Sequence, residues 1–476
     1  MELWELCRAA DINCPEEKKN IFISGVTCDS RRVQKDFLYV SLKGTREDGE
    51  KYCHEAIKRG ATEIVHFEKG YGALYSDDTR LALSRLCKKM YGNGCDKLKL
   101  VAVTGTNGKT TVVELLYNIF SEAGYVCGTV GTLGIKTRYG KLDFGGTMTT
   151  PDPEELYKAL SELEHLGCEY VFVEASSHAL ELRKLDALKF EVGIFTNLTR
   201  DHLDFHLTEK SYFEAKKRLV SLCKKVISNA DAKYGKEFCS HALLCSEKEK
   251  ADFRATDIKC ETDGISYRLL TENAETDIVC KIPGNFTIMN TLEAAAAAYT
   301  LGVPFEKIRK GIERTASVDG RIERVMLPKD ADVTVFIDYA HTPDALEKLL
   351  LSVRDFAKGR RIVLVFGCGG ERDSGKRKLM GAVATKYADF TVITSDNPRN
   401  EDPDGIIKEI LKGVDKEKRY TVIKNRRSAI EYAIKESKSG DIIILAGKGH
   451  EKYEIDANGK HPFDEAGTVR KAWSEK

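Results

Sequence analysis

Three observations predict an α/β protein built from three consecutive domains. At 476 residues the chain exceeds what one core can hold and fits about three domains. Short apolar runs rich in β-branched residues alternate with amphipathic helical patterns along most of its length. One of those runs ends in TGTNGKTT, where glycine, lysine and threonine follow in the order that phosphate binding requires. The expected domains span 1–97, 98–325 and 326–476.

The first block reads as a small N-terminal α/β domain. Ile21 to Val26, Phe37 to Leu42 and Ala61 to Phe67 have the composition of strands, and Tyr52 to Arg59 and Thr79 to Tyr91 the pattern of helices. Between the first two strands lies CDSRRV, whose Asp29, Ser30 and Arg31 are polar enough to cap a turn, the simpler of their readings. YGNGCDK, from Tyr91, has the glycines and polar residues of a linker.

The second block opens on the turn that organises the chain. Leu98, Leu100, Val101 and Val103 predict a buried strand, and Gly105 and Gly108 break it. Lys109, Thr110 and Thr111 then open a helix whose apolar face carries Val112, Leu115, Leu116 and Ile119. Such a turn aims backbone N–H groups, a helix N-terminus and the Lys109 charge at one anion, and the Thr110 hydroxyl can complete a magnesium shell. Only Thr106 and Asn107 separate the glycines, so the loop is shorter than the usual Walker A turn. The block is therefore expected to be P-loop ATPase-like.

Gly124 to Gly131 reads as its next strand, and TMTTPDP, from Thr147, as a turn into the helix Pro153 to Leu166. The buried strand Tyr170 to Val173 ends on Glu174, followed by Ser176, Ser177 and His178. A carboxylate at that edge, beside a P-loop, is placed like a magnesium ligand, with capping of the next helix as the alternative. Strand Val192 to Thr196 leads into NLTRDHLDFH, where Asn197, Asp201, His202, Asp204 and His206 are too many polar groups for turn chemistry alone. The helix Lys210 to Leu222 carries Lys216 and Lys217, which by pattern alone form a solvated basic face. Residues 223–282 alternate short strands and polar turns. Pro283 and Gly284 then make a turn, Asn290 is expected to start an Ala-rich helix that Gly302 ends, and VDGRIERV, with Arg321, closes the block.

The third block restarts the rhythm and reads as a Rossmann-like domain. Strand Val333 to Ile337 runs into Asp338 and His341, Arg361 to Phe366 into GCGGERDSGKR, Phe390 to Thr394 into SDNPRNEDP, and Asp441 to Leu445 into AGKGHEKYE. Open α/β sheets bind ligands at the carboxyl ends of their strands, which is where all four polar loops fall.

Bulk composition excludes several roles. Hydrophobic residues make up 42% and charged residues 31%, and a formal charge of +1 argues against a nucleic-acid-coating protein. The acidic N-terminus has no signal-peptide pattern, and the Ala294 to Ala298 tract is too short to span a bilayer, so a cytoplasmic protein is expected. The 14 cysteines are scattered with no CxxC pair and read as small buried hydrophobes. Cys239, His241 and Cys245 lie close in sequence but lack a fourth ligand at zinc spacing.

Taken in order, TGTNGKTT, EASSH, NLTRDHLDFH with EAKKR after it, GRIERV, DYAHTPDAL and SDNPRNEDP resemble the Mur ligases of peptidoglycan synthesis over essentially the whole chain. The resemblance implies a monomeric enzyme with ATP and Mg2+. It would add meso-2,6-diaminopimelate to a UDP-N-acetylmuramoyl dipeptide through an acyl phosphate. It further implies that Gly105, Thr106, Asn107, Gly108, Lys109, Thr110 and Thr111 hold the triphosphate, with Asn290, Arg321 and Asp338 completing the nucleotide site. Thr110, Glu174, His202 and Lys216 would bind metal, Lys216 as an N6-carboxylysine formed with carbon dioxide. Cys28, Ser30, Thr149, Thr150, Ser176 and Lys184 would contact the UDP substrate. Arg372, Asp396, Asn397, Pro398, Arg399, Gly447 and Glu451 would bind the amino acid, Arg399 gripping the distal carboxylate that lysine lacks.

Three positions depart from the pattern. Thr287 stands where asparagine is usual, with Asn285 on the other side of Phe286. Lys184 stands where arginine is usual, with Arg183 just before it, which leaves two candidates for the substrate contact. GTREDGEKY lacks the usual histidine after Asp-Gly. The same reaction with L-lysine, and an ATP-hydrolysing P-loop switch protein, are the alternative functions.

Overall fold

Three large sheets and one two-stranded antiparallel pair, Tyr453–Asp456 with Gly459–Pro462, carry the strands, in a computed structural model that describes residues 1–44, 48–72, 74–143, 148–328 and 330–476. Thr147 of the TMTTPDP turn and residues 45–47 of the GTREDGEKY loop lie outside the described residues. The first sheet is parallel, its strands Gly25–Thr27, Phe37–Val40, Ala61–His66 and Leu74–Tyr75 pairing in sequence order.

The central sheet has 11 strands. Its middle is parallel: Phe253–Glu261, Leu243–Ser246, Cys223–Asn229, Phe190–Phe195, Lys99–Thr104, Tyr170–Glu174 and Cys127–Gly131. Antiparallel strands extend both ends, Gly264–Leu270 and Glu275–Cys280 on one side, Gly134–Thr137 and Gly140–Leu142 on the other. The strand Lys99–Thr104 lies inside the parallel part and is buried on both faces, which is why its sequence is almost continuously apolar. Val101 and Val103 point into one core, with the P-loop helix Lys109–Glu122 and the Ala-rich helix Phe286–Thr300. Leu100 and Ala102 point into the other, which continues into the first block through Leu3, Leu6 and Leu86. Burial of each large apolar side chain here contributes roughly 1.5–3 kcal/mol.

The third sheet has six strands, in the order Glu323–Arg324, Thr334–Asp338, Ile442–Ala446, Ile362–Phe366, Phe390–Ile393 and Tyr420–Val422. All pair in parallel except the first. Among the described residues no helix is long and apolar enough to cross a membrane.

Several expectations shift. Regular pairing in the first strand covers only Gly25–Thr27, because Phe22 bridges back to Glu2 instead. The Ala-rich helix starts at Phe286, not Asn290; Asn290 sits inside it, buried. The α-helix bearing Lys216 ends at Lys217 and tightens into the 3₁₀ turn Arg218–Leu222. Lys216 is not on a solvated face: it is 1% exposed.

Candidate active site

Two glycines shape the TGTNGKTT turn because neighbouring strands and helices leave no room for a side chain. Gly105 has φ 148°, and a Cβ there would fall 1.9 Å from Thr196 Oγ1; Gly108 has φ 90°, and its Cβ would meet Asn290 Oδ1 at 2.5 Å. Residues after the adjoining strand hold the loop: Thr106 N donates to Asn197 O at 2.9 Å, and Asn107 N to Asn197 Oδ1 at 3.0 Å. Thr196 Oγ1 donates to Asn107 O at 2.6 Å. The helix Lys109–Glu122 starts directly behind this turn, so its first N–H groups and its dipole face the same space. Lys109 Nζ donates to Gly105 O and Thr106 O, at 3.0 and 2.9 Å. Burial lowers the Lys109 pKa, while Glu174 and Asp201 act to raise it.

Glu174 is the hub beneath the turn. Its Oε2 accepts from Thr110 Oγ1 at 3.1 Å and Thr132 Oγ1 at 3.0 Å, and its Oε1 from Thr132 N at 2.8 Å. Thr132 also lies 3.1 Å from Thr149 Oγ1. Thr150 Oγ1 donates to Glu174 O at 2.7 Å and accepts from Ser176 N at 3.1 Å. A carboxylate and hydroxyls gathered this closely form an all-oxygen donor set, the chemistry a hard cation such as Mg2+ prefers.

Lys216 reaches this space from behind. Its Nζ donates to Gly105 O at 2.8 Å and lies 4.5 Å from the centre of the Tyr212 ring. Burial first, then the Lys109 charge, hold the Lys216 pKa well below the usual lysine range, against the opposing effect of Asp201. His202, in the left-handed region at φ 53°, packs edge-on against His178 at 4.8 Å and lies 3.4 Å from Asp201 Oδ2.

Arg321, at the end of the second block, and residues of the third block close this space from the other side. Arg321 Nη2 donates to Thr110 Oγ1 at 3.4 Å, and its guanidinium stacks over Tyr339 at 4.8 Å. Asp338 accepts from Ile322 N and Ala340 N, both at 2.8 Å, and burial raises its pKa. Asp344 Oδ2 accepts from Thr199 Oγ1 at 2.8 Å and from Asn107 Nδ2 at 3.4 Å, which ties this block to the P-loop.

The SDNPRNEDP loop forms a second polar centre. Asn397 Nδ2 donates to Glu451 Oε2 at 2.7 Å, and Asn397 Oδ1 accepts from the buried Lys448 Nζ at 2.9 Å. Lys448 also pairs with Asp396 at 3.2 Å, and a Cβ on Gly447 would approach Asp396 Oδ2 to 2.9 Å. Arg399, at φ 54°, donates from Nη1 to Gly370 O at 2.7 Å. Pro398 is buried, while Arg372 stands exposed beside Gly369. Burial, and next Asp396, raise the Glu451 pKa.

On the first block, Asp29 caps its turn by accepting from Arg31 N at 3.0 Å, and Ser30 Oγ donates to Glu55 Oε2 at 3.2 Å. Cys28 is pushed up to about 12 by burial and then by Asp152, across the boundary with the central block. Lys184 and Arg183 part company: Lys184 Nζ pairs with Asp152 at 2.7 Å and points towards Thr150 O, whereas Arg183 pairs with Asp78 at 2.7 Å.

Known proteins match this arrangement along the chain. The Mur ligase middle domain matches residues 103–298, the glutamate ligase domain of Mur ligases residues 320–449, and the Mur ligase family catalytic domain residues 22–87. A UDP-N-acetylmuramoyl-L-alanyl-D-glutamate–2,6-diaminopimelate ligase of Clostridioides difficile is 41% identical over 478 residues, covering 98% of this chain and 98% of the relative. The chain belongs to the Mur ligase family. A like-named ligase of Caldanaerobacter subterraneus is 39% identical, over 96% of each chain. A solved structure of a protein of that name superposes with a TM-score of 0.71 at 29% identity, covering 99% of this chain and 98% of the other.

In this Mur ligase, sequence reasoning missed Thr132, Thr199, Tyr212, Asp344, Arg377 and Lys448. Arg377 is 3% exposed; it donates to Gly369 O at 3.3 Å in the loop before it and pairs with Glu401 and Glu409 at 2.8 Å each. The one available signal was position: Thr132 follows the strand Cys127–Gly131, and Lys448 lies just beyond the strand Ile442–Ala446, both at ligand-binding ends.

Proposed function

We propose that this Mur ligase adds meso-2,6-diaminopimelate to UDP-N-acetylmuramoyl-L-alanyl-D-glutamate, with ATP and Mg2+, acting as a monomer in the cytoplasm. Residues 1–97 bind the UDP part of the substrate, 98–325 bind ATP, and 326–476 bind the amino acid. The carrying observation is the convergence of Lys109, Thr110, Glu174 and Lys216 on one turn, with Asn397, Arg399 and Glu451 brought together from two loops at a separate polar centre. The names of the relatives at about 40% identity support the choice of substrates.

ATP phosphorylates the D-glutamate γ-carboxylate, the amine of diaminopimelate attacks the resulting acyl phosphate, and the tetrahedral intermediate expels phosphate. Both steps move negative charge onto oxygens, so fixed cations and donors carry most of the catalysis. Lys109 and the helix N-terminus behind it steady the β- and γ-phosphates. Thr110, Glu174, His202 and a carbamoylated Lys216 would hold magnesium, which supplies charge neutralisation at the transferring phosphoryl group. Asn290, Arg321 and Asp338 border the nucleotide. Cys28, Ser30, Thr149, Thr150, Ser176 and Lys184 line the path of the UDP substrate. Arg372, the Asp396–Arg399 box, Gly447 and Glu451 read the amino acid.

The test is phosphate release with the UDP-dipeptide present, across diaminopimelate isomers, lysine and ornithine. Turnover is expected only with both acceptor and dipeptide, and best with the meso isomer. Turnover indifferent to both overturns the ligase reading, and a preference for lysine overturns the choice of amino acid.

A further inference from the structure

Away from the ligase site, the first block gathers three side chains of metal-binding chemistry. Glu50 belongs to the 3₁₀ turn Gly49–Tyr52, Cys53 opens the helix Cys53–Arg59, and His66 ends the strand Ala61–His66. Glu50 Oε2 accepts from Cys53 Sγ at 3.1 Å and lies 2.8 Å from His66 Nδ1. One ligand atom from each residue lies within 4.8 Å of the other two. Zinc bonds of about 2.0–2.3 Å hold tetrahedral ligands roughly 3.3–3.7 Å apart, so small side-chain adjustments admit an ion to this triangle.

Two further features point to a ligand. Ser41, fully buried, lies beside both Glu50 and Cys53, yet its hydroxyl completes no well-formed hydrogen bond among the described residues. The His66 ring is fixed with Nδ1 towards Glu50: Tyr71 stacks on it at 6.2 Å, and a Cβ on Gly72 would fall 2.6 Å from Nε2. We propose that Glu50, Cys53 and His66 bind a divalent transition metal of the zinc type, with water or the Ser41 hydroxyl as fourth ligand. Sulfur and imidazole donors select against Mg2+ and Ca2+, which separates this centre from the all-oxygen set around Glu174. On binding, the Cys53 thiol gives its proton to solvent and the thiolate becomes the ligand. The ion pins the turn to the sheet. It thereby steadies the helix Cys53–Arg59, whose Glu55 accepts the Ser30 hydrogen bond.

The full chain, stripped with a chelator and held in excess Mg2+ to fill hard-cation sites, is titrated with Co2+. One equivalent is expected to give a thiolate-to-cobalt charge-transfer band and the strong visible bands of a tetrahedral ion, both displaced by Zn2+. Cys53→Ser should abolish the charge-transfer band, His66→Gln should weaken binding, and Cys260→Ser should leave both intact. Zn2+ should raise the melting temperature of the parent chain and not that of Cys53→Ser. If Cys53→Ser does not fold, His66→Gln and Glu50→Gln decide by their weakened Co2+ affinity. A missing charge-transfer band, a band that survives Cys53→Ser, or only the pale spectrum of an octahedral ion overturns the site.

Discussion

Lys109 and Lys216 donate to one acceptor, the carbonyl oxygen of Gly105, at 3.0 and 2.8 Å. Two ammonium groups on one buried carbonyl repel each other, and Lys216, the more deeply enclosed, is the one driven well below the usual lysine range. The sign of the pH dependence follows. From the depressed folded value up to the ordinary 10.5, the unfolded chain holds a proton that the folded chain lacks, so stability increases with pH across that window. The slope is at most about 1.4 kcal/mol per pH unit. Lys216→Met should therefore be more stable than the parent at neutral pH in carbon-dioxide-free buffer, and should lose the share of the slope that Lys216 contributes, keeping that of Lys109. Urea midpoints across the alkaline range decide; a parent chain no steeper than Lys216→Met contradicts a neutral Lys216.

A neutral amine is also the form that captures carbon dioxide, which turns a repelled cation site into an anionic ligand. Lys216→Ala should lose ligase activity and recover part of it with small carboxylates such as formate or acetate. Carbon-13 bicarbonate should give the parent a carbamate NMR signal absent from the variant. Failure of every rescue, with no such signal, leaves Lys216 a structural role only.

The Gly105→Ala variant tests the turn itself. The new methyl would meet Thr196 Oγ1 at 1.9 Å in a backbone conformation that alanine rarely adopts. The cost should be about 1–3 kcal/mol or more, with ATP binding lost first because the turn moves. Gly134→Ala is the control: its φ is 92°, but nothing lies within 4 Å of the added carbon. It should lose a fraction of that stability and keep ATP affinity, as calorimetry would read. Equal losses in both would mean that backbone strain, not the Thr196 contact, sets the turn.

What the sequence made legible was local. Gly105 to Thr111 is contiguous, and Glu174 ends a run whose burial is evident from composition, so spacing and period sufficed. Contacts made across the chain left no such trace: Glu174 meets Thr132 across 42 residues and Asn107 meets Asp344 across 237. Lys216 and Lys217 are neighbours of equal chemistry, and only tertiary packing turned the first inward. Asn290 looked like a helix start because asparagine caps helices, but the helix begins earlier and spends that side chain on Gly108. The zinc-like trio was invisible for the same reason, since His66 joins Glu50 through strand placement, while cysteine spacing drew the eye to Cys239, His241 and Cys245, which form no such cluster among the described residues.

Arg399 carries the sharpest test of substrate choice. Its backbone N–H donates to Ile455 O at 3.0 Å and its Nη1 to Gly370 O at 2.7 Å, so the guanidinium is fixed at the mouth where Asn397 and Glu451 meet. A pre-positioned planar fork suits a carboxylate better than a flexible ammonium does. Arg399→Ala should cost about 2–4 kcal/mol in use of diaminopimelate, roughly 30- to 1000-fold in kcat/KM, with the KM for ATP unchanged. Arg399→Lys keeps the charge but not the fork, and should recover only a minor part. Steady-state kinetics with each substrate varied in turn give the answer. A matching loss in ATP affinity would show that the residue supports the fold of the whole mouth instead of the distal carboxylate, because its bond to Gly370 would then be the one that matters.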